Sequence, residues 1–243
     1  MKHIYGLLGR DIGYSFSRGY FAEKFQKEKL NFEYNNFDIP QINEVSEILN
    51  NSEIKGLNVT IPYKEEVIPF LDNLDPVAKE IGAVNTIKFD DNRKTTGYNS
   101  DFYGFIESLK PLLKTSTKNA LILGTGGASK AIAYALTQLQ IDYTFVSRTA
   151  GDRKIAYADL NEDIIKKNTL LINCTPLGTH PDVGEYPDIP YKHITEEHIL
   201  YDLIYNPAET VFLKKGREKG AKTCNGLQML ALQAEKSWEI WNL

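Results

Sequence analysis

Residues 121–149 read LILGTGGASKAIAYALTQLQIDYTFVSRT, and the order of their patterns decides the fold. Residues 120–123 form an apolar strand that runs directly into Gly124-Thr125-Gly126-Gly127-Ala128-Ser129. A helix follows, and residues 143–146 supply a second strand. This is a βαβ unit with a glycine-rich first turn, the arrangement that binds a dinucleotide. Gly124 permits the tight turn and Gly126 lets the backbone approach a pyrophosphate. The helix N-terminus offers its N–H groups to that anion. Ser129 stands where a Gly or Ala is usual. The alternative is a βα turn that uses glycine for its geometry alone.

The end of the second strand bears on the cofactor. An NAD site usually has Asp or Glu there, accepting hydrogen bonds from the ribose 2′-hydroxyl. This chain has Ser147-Arg148-Thr149, with Arg153 and Lys154 close behind. A planar guanidinium pairs with a 2′-phosphate through two hydrogen bonds, whereas a carboxylate would repel it. The expectation is NADP(H) rather than NAD. The competing reading makes Arg148 an ordinary solvated residue at a strand end.

Working outward, 119 residues precede this strand, so another structure is built before the nucleotide unit. In that region residues 4–8, 32–39 and 57–61 read as strands, and 20–30 and 40–49 as helices. Residues 84–89 and 94–98 flank Asp90-Asp91-Asn92-Arg93 as a hairpin. Residues 101–113 read as a helix interrupted near Pro111, and the polar stretch 114–119 as a domain boundary. Beyond it, residues 120–123, 143–146, 170–174 and 199–204 read as buried strands, and 180–190 as a breaker-rich loop. The last helix, 227–241, places Leu227, Leu230, Ala231, Ala234, Trp238 and Trp241 on one face. The alternation predicts an α/β protein of two domains. Residues 1–113 form the first, with a mixed, mostly parallel sheet; 114–225 form a Rossmann-like domain; the helix in 226–243 returns to the first.

Composition narrows the class of partner. The chain has 243 residues, 42% of them hydrophobic, and a formal net charge of −4 spread in both signs. There is no basic footprint for nucleic acid, no polybasic patch and no apolar run of membrane-spanning length. Two cysteines, Cys174 and Cys224, lie outside any CxxC, and the four histidines show no HExxH spacing, so no metal site is expected. The expectation is a cytoplasmic protein acting on a small molecule, as a monomer or a homodimer.

The first domain carries polar residues at strand ends that packing alone does not require. They stand in NVTIPYK (58–64), GAVNT (82–86), GYNSDFYGF (97–105) and the serine pair Ser15 and Ser17. Together with GTGGASKA (124–131), SRT (147–149), NCTPLG (173–178), YDLIYNP (201–207) and GLQMLALQA (226–234), these motifs make the chain resemble the shikimate dehydrogenase family along nearly its whole length. The resemblance implies NADPH-dependent reduction of 3-dehydroshikimate to shikimate in the biosynthesis of chorismate and the aromatic amino acids.

The resemblance also implies roles. Ser15 and Ser17 would hold the substrate carboxylate. Asn58, Thr60, Asn85, Asp101 and Gln233 would hydrogen-bond the ring hydroxyls, with Tyr205 near the substrate. Lys64 and Asp101 would be the catalytic pair. Gly124, Gly126, Gly127, Ala128, Ser129, Ser147, Arg148, Thr149, Arg153 and Thr175 would line the cofactor, with Leu203 and Gly226 near the nicotinamide. The chain departs from the family pattern in having Arg18-Gly19 rather than Pro after Ser17, Ser147 in place of Asn, and Arg153 one position late.

The chemistry suits these residue types. Ketone reduction needs a hydride, which a nicotinamide supplies, and a proton for the developing alkoxide. A helix opening after Pro62 would place Lys64 in its first turn, where the dipole disfavours the ammonium; Asp101 would favour it. Without the resemblance, Lys64 reads equally as a surface residue, Asp101 as a helix cap, and the serines as loop residues. Rival readings are a broader quinate/shikimate dehydrogenase, a folate dehydrogenase of related fold, and a non-catalytic sensor of NADPH or a shikimate-like acid.

Overall fold

A computed structural model describes residues 3–13 and 15–243 and divides them into two compact units. One comprises the chain up to Ser100 together with Gln233–Leu243; the other is Asp101–Leu232. The first unit contains β1 (His3–Gly9), α1 (Phe16–Lys27), β2 (Phe32–Asp38), α2 (Val45–Leu49), β3 (Ile54–Val59), β4 (Asn73–Leu74), α3 (Pro76–Ile81), β5 (Thr86–Phe89) and β6 (Thr95–Tyr98). The second contains α4 (Asp101–Leu109), β7 (Asn119–Leu123), α5 (Gly127–Gln138), β8 (Asp142–Ser147), β9 (Lys154–Ala156), α6 (Glu162–Lys167), β10 (Leu170–Asn173), β11 (Ile199–Asp202), α7 (Val211–Arg217) and β12 (Lys222–Cys224). The last helix, α8 (Leu227–Trp241), belongs to the second unit up to Leu232 and to the first from Gln233 onward.

The first sheet has the order β2-β1-β3-β5-β6-β4 and is mixed. β1 pairs in parallel with β2 and β3, and β4 with β6, while β5 runs antiparallel to β3 and β6. Successive residues of β1 point to opposite faces. Tyr5 and Leu7 join Phe21, Phe25 and Trp241 beneath α1 and α8, and Leu8 joins Ile54, Leu57 and Val59 on the other side. Trp241 lies where a Cβ on Gly56 would come within 2.5 Å of its ring, and its indole N–H donates to Ile87 O at 3.0 Å.

The second sheet is wholly parallel, in the order β12-β11-β10-β7-β8-β9. Counted from β7 this is the doubly wound order 6-5-4-1-2-3, with the chain switching direction between β7 and β10. Its central strands β7, β10 and β11 are buried on both faces, as parallel strands between helices must be. Ala120 and Ile122 of β7 enter one core cluster, with Leu170, Ile172, Ile199 and Tyr201; Leu121 and Leu123 enter the other, with Leu171 and Leu200.

The chain divides at Ser100 and within α8, not in the polar stretch 114–119. α4 packs on α5 through Phe102 against Tyr134, ring centroids 5.2 Å apart, and Phe105 stacks edge-on against Tyr201 at 4.9 Å. Its apolar face therefore completes the second core. The short strands β4, β9 and β12 are additions to the sequence reading. The expected apolar face of α8 also differs: Leu227 is 47% exposed, while Gln233 and Ser237 are buried.

Candidate substrate and cofactor sites

In the first unit the loop leaving β1 is fastened by β2. Asp38 Oδ1 accepts from Asp11 N at 2.9 Å, Asp38 Oδ2 from Ile12 N at 3.1 Å, and Asn36 Nδ2 donates to Ile12 O at 2.9 Å. This loop delivers Ser15 to the N-cap position of α1, with no cap bond from its side chain. The Ser15 hydroxyl is buried and has no hydrogen-bond partner among the described residues. Ser17, the second residue of α1 and buried, hydrogen-bonds the Tyr34 phenol. Burial pushes that phenol's pKa up, and the Ser17 bond works the other way.

Tyr34 leads into a polar core. Its hydroxyl donates to Asn58 Oδ1 at 2.8 Å, and Asn58 Nδ2 donates to Ser237 Oγ at 2.8 Å. Asn85 Nδ2 donates to Ser100 Oγ at 3.0 Å and to Gln233 Oε1 at 3.3 Å, while Asn85 Oδ1 accepts from Ser100 N at 2.6 Å. Ser237 also lies 2.8 Å from Thr86 Oγ1 and 3.1 Å from Ser100 Oγ, and donates to Gln233 O at 3.0 Å. Three residues predicted to bind substrate, Asn58, Asn85 and Gln233, thus meet in one network. Tyr34, Thr86, Ser100 and Ser237 are members the sequence reading missed. The available signal was the i,i+4 spacing of Gln233 and Ser237, which puts both on one helix face.

Thr60 is held by β1 through Thr60 N to Leu8 O at 2.9 Å, and Lys64 O accepts from Val84 N at 2.7 Å, beside Asn85. The helix expected after Pro62 is absent, which is a correction. Residues 61–67 are turns, followed by a 3-10 segment Ile68–Phe70. One helical bond forms, Val67 N to Tyr63 O at 2.9 Å, but Pro69 has no N–H to continue the series. The helix-dipole argument for Lys64 falls with it. Asp101, in the second unit, is the first residue of α4 and 7% exposed.

The glycine turn has the expected form. Gly124 adopts φ +99°, and a Cβ there would sit 3.0 Å from Thr175 Cγ2. Gly126 precedes α5, and a Cβ there would meet nothing within 4 Å, which leaves space for a phosphate against the backbone. Gly127 and Ala128 open α5. Ser129 fits the third position because its hydroxyl turns back to Gly126 O at 2.7 Å. These residues fit a dinucleotide pyrophosphate.

Ser147 ends β8, and its hydroxyl donates to Thr149 O, closing the turn that carries the exposed Arg148. Arg153 lies elsewhere. It occupies a tight turn at φ +53°, its carbonyl accepts from Phe145 N, and it lines a groove with Thr137, Gln140, Asp142 and Thr144. That groove is at the start of β8, away from the glycine turn.

Thr175 follows β10 and is fixed by Asn173 Oδ1, which accepts from Thr175 N at 3.0 Å and Thr175 Oγ1 at 2.6 Å. Leu203 and Gly226 come together: Gly226 N donates to Ile204 O at 3.0 Å, and a Cβ on Gly226 would fall 2.1 Å from Leu203 O. Only glycine permits that approach. Tyr205 is half-buried, which raises its phenol pKa. Cys174 and Cys224 are free thiols whose pKa values burial pushes up. Among the described residues no helix is long and apolar enough to cross a membrane, and no His/Cys/Asp/Glu group could hold a metal.

A mixed α/β unit with a buried polar cluster, joined to a doubly wound unit with a glycine-rich first turn, defines a two-unit α/β protein of the Rossmann-type nucleotide-binding class. Residues 7–87 match the model for the shikimate dehydrogenase substrate binding domain. A shikimate dehydrogenase (NADP(+)) of Methanococcus vannielii is 38% identical, the match covering 98% of this chain and 90% of the relative. The crystal structure of shikimate dehydrogenase from Aquifex aeolicus superposes with a TM-score of 0.90 at 36% identity, covering 99% and 92% of the two chains. A shikimate dehydrogenase solved in complex with NADP+ gives 0.88 at 33% identity, covering 99% and 90%. The chain belongs to the shikimate dehydrogenase family.

Proposed function

We propose that this chain catalyses the reversible NADPH-dependent reduction of 3-dehydroshikimate to shikimate. The observation that carries this reading is the buried Ser15 hydroxyl at the head of α1, without a partner among the described residues, in the same unit as the neutral amides of Asn58, Asn85 and Gln233. A helix N-terminus with a spare hydroxyl suits a carboxylate, and amides that both donate and accept suit ring hydroxyls. The relatives' names support the same substrate and cofactor. When bound, NADPH supplies the hydride for the carbonyl carbon. Lys64 donates a proton to the carbonyl oxygen as it becomes an alkoxide, and Asp101 is the other member of the catalytic pair. Arg148 takes the cofactor's 2′-phosphate.

Purified protein mixed with NADPH and 3-dehydroshikimate should consume NADPH absorbance; a flat trace sinks the proposal. In Lys64→Ala, kcat should fall by about 10²–10⁴-fold while shikimate binding changes little. A near-normal kcat would remove Lys64 from proton transfer.

A further inference from the structure

Asp202, the last residue of β11, has no role in the chemistry above, yet it is a fully buried carboxylate at the C-terminal edge of the nucleotide-binding sheet. Oδ1 accepts from Asn173 Nδ2 at 3.0 Å and from Ile204 N at 3.0 Å, and Oδ2 accepts from Thr210 Oγ1 at 2.6 Å. All three donors are neutral. Burying a carboxylate against neutral donors alone is expensive, and hydrogen-bonded amides could have tied the same strands together.

What the charge organises is local. Asn173 passes the constraint on: its Oδ1 holds Thr175, and its backbone O accepts from Leu203 N at 3.1 Å. Ile204, gripped by Asp202 at its N–H, receives Gly226 N at its carbonyl. Thr210 is the N-cap of α7, accepting from Leu213 N at 3.3 Å. The loops leaving β10 and β11 are therefore locked to one another through a single side chain, and the backbone of Ile204 ties on the loop leaving β12. In a doubly wound sheet the dinucleotide lies across these strand ends, one nucleotide on each half. The glycine turn and Arg148 mark the β7–β9 half for the adenosine phosphate, which leaves the β10–β12 half for the nicotinamide.

We propose that Asp202 is a positioning residue for the nicotinamide end of the cofactor site, acting through Asn173, Ile204 and Thr210 on the loops that carry Thr175, Leu203 and Gly226. The inference rests on the cofactor reading above. Two probes test it: NADPH, and adenosine 2′,5′-bisphosphate, which has the 2′-phosphate but no nicotinamide. Binding is measured by fluorescence titration, without turnover. Asp202→Asn keeps the shape but puts an N–H₂ where an acceptor stood. It should weaken NADPH by about tenfold to a hundredfold, the scale of a lost hydrogen bond to a charged group, and leave the bisphosphate unchanged. Thr210→Val, which removes one donor and guards against misfolding of the first variant, should shift NADPH alone in the same direction; Thr210→Ser should restore it. Variants that lose both ligands equally, or neither, overturn the inference, since a merely structural role would act on both ends or on stability alone. Wild-type protein that binds neither ligand would overturn the cofactor reading itself.

Discussion

The two units bury polarity in opposite ways. Beneath α8 the first unit assembles Asn58, Asn85, Thr86, Ser100, Gln233 and Ser237, every one neutral and able both to donate and to accept. At the end of β11 the second unit buries a carboxylate, Asp202, which only accepts. A neutral network holds its shape at any pH and fails when a member is removed. A buried carboxylate fixes several donors at once and ties local stability to proton concentration.

The largest effect should come from breaking the neutral network at Asn58, which joins Tyr34 to Ser237. Asn58→Leu strips one acceptor from Tyr34 and one donor from Ser237, together with the amide's bonds to Asn85 O and Thr86 Oγ1. It should cost about 4 kcal/mol of unfolding free energy in a urea titration, at about 1 kcal/mol for each of its four side-chain hydrogen bonds. A loss under about 1 kcal/mol would show that water or repacking replaces these bonds, and that the network adds little.

The pH dependence of the carboxylate sharpens the contrast. Burial pushes the Asp202 carboxyl up to about 6 from 3.8, against the pull of Thr210, Ile204 and Asn173. The folded state holds this proton more tightly than the unfolded chain. The group's stabilisation is complete below the unfolded value and is lost as pH rises through about 6. Relative to Asp202→Asn, the wild type should lose about 3 kcal/mol of stability between roughly pH 4 and pH 7.5, at about 1.4 kcal/mol per pKa unit. Cys174 and Tyr191 also face this charge, but burial first, followed by Asp202 for the thiol and by Tyr186 and then Asp202 for the phenol, pushes both pKa values upward, so neither ionises in that window. Parallel pH curves for the two proteins would mean that Asp202 titrates normally.

The smallest effect tests whether the neutral network serves binding or only folding. Ser237→Ala removes one hydroxyl that touches Asn58, Thr86 and Ser100 but leaves the amides in place. About 1 kcal/mol of stability should go, with a several-fold rise in KM for shikimate and an unchanged kcat. An unchanged KM would confine Ser237 to structural support.

Much of this molecule was legible as pattern. The glycine turn, its flanking strands and the all-parallel second sheet follow from apolar runs and from the backbone freedom that Gly124 requires. The hairpin β5–β6 follows from its turn residues. Strands of two or three residues, such as Asn73–Leu74 and Lys154–Ala156, escaped because so short a segment has no period to detect. Lys64 was placed on a helix because Pro62 suits a first turn, yet Pro69, a few residues on, withholds the N–H that would extend it. Arg153 was near Arg148 in sequence, but a tight turn carries it toward the start of β8.

By itself the sequence determined the class of fold, the nucleotide turn and the family, because these depend on local periodicity and on residue types at fixed spacing. The tertiary structure alone decided which polar side chains are partners. Ser237 and Asn58 are 179 positions apart and share a hydrogen bond; Asp202 and Asn173, 29 apart, share another. Such pairings are set by sheet order and helix docking, and no local pattern encodes them. The burial of the Ser15 hydroxyl and of the Asp202 charge is likewise a property of the folded chain, because residues distant in sequence enclose them.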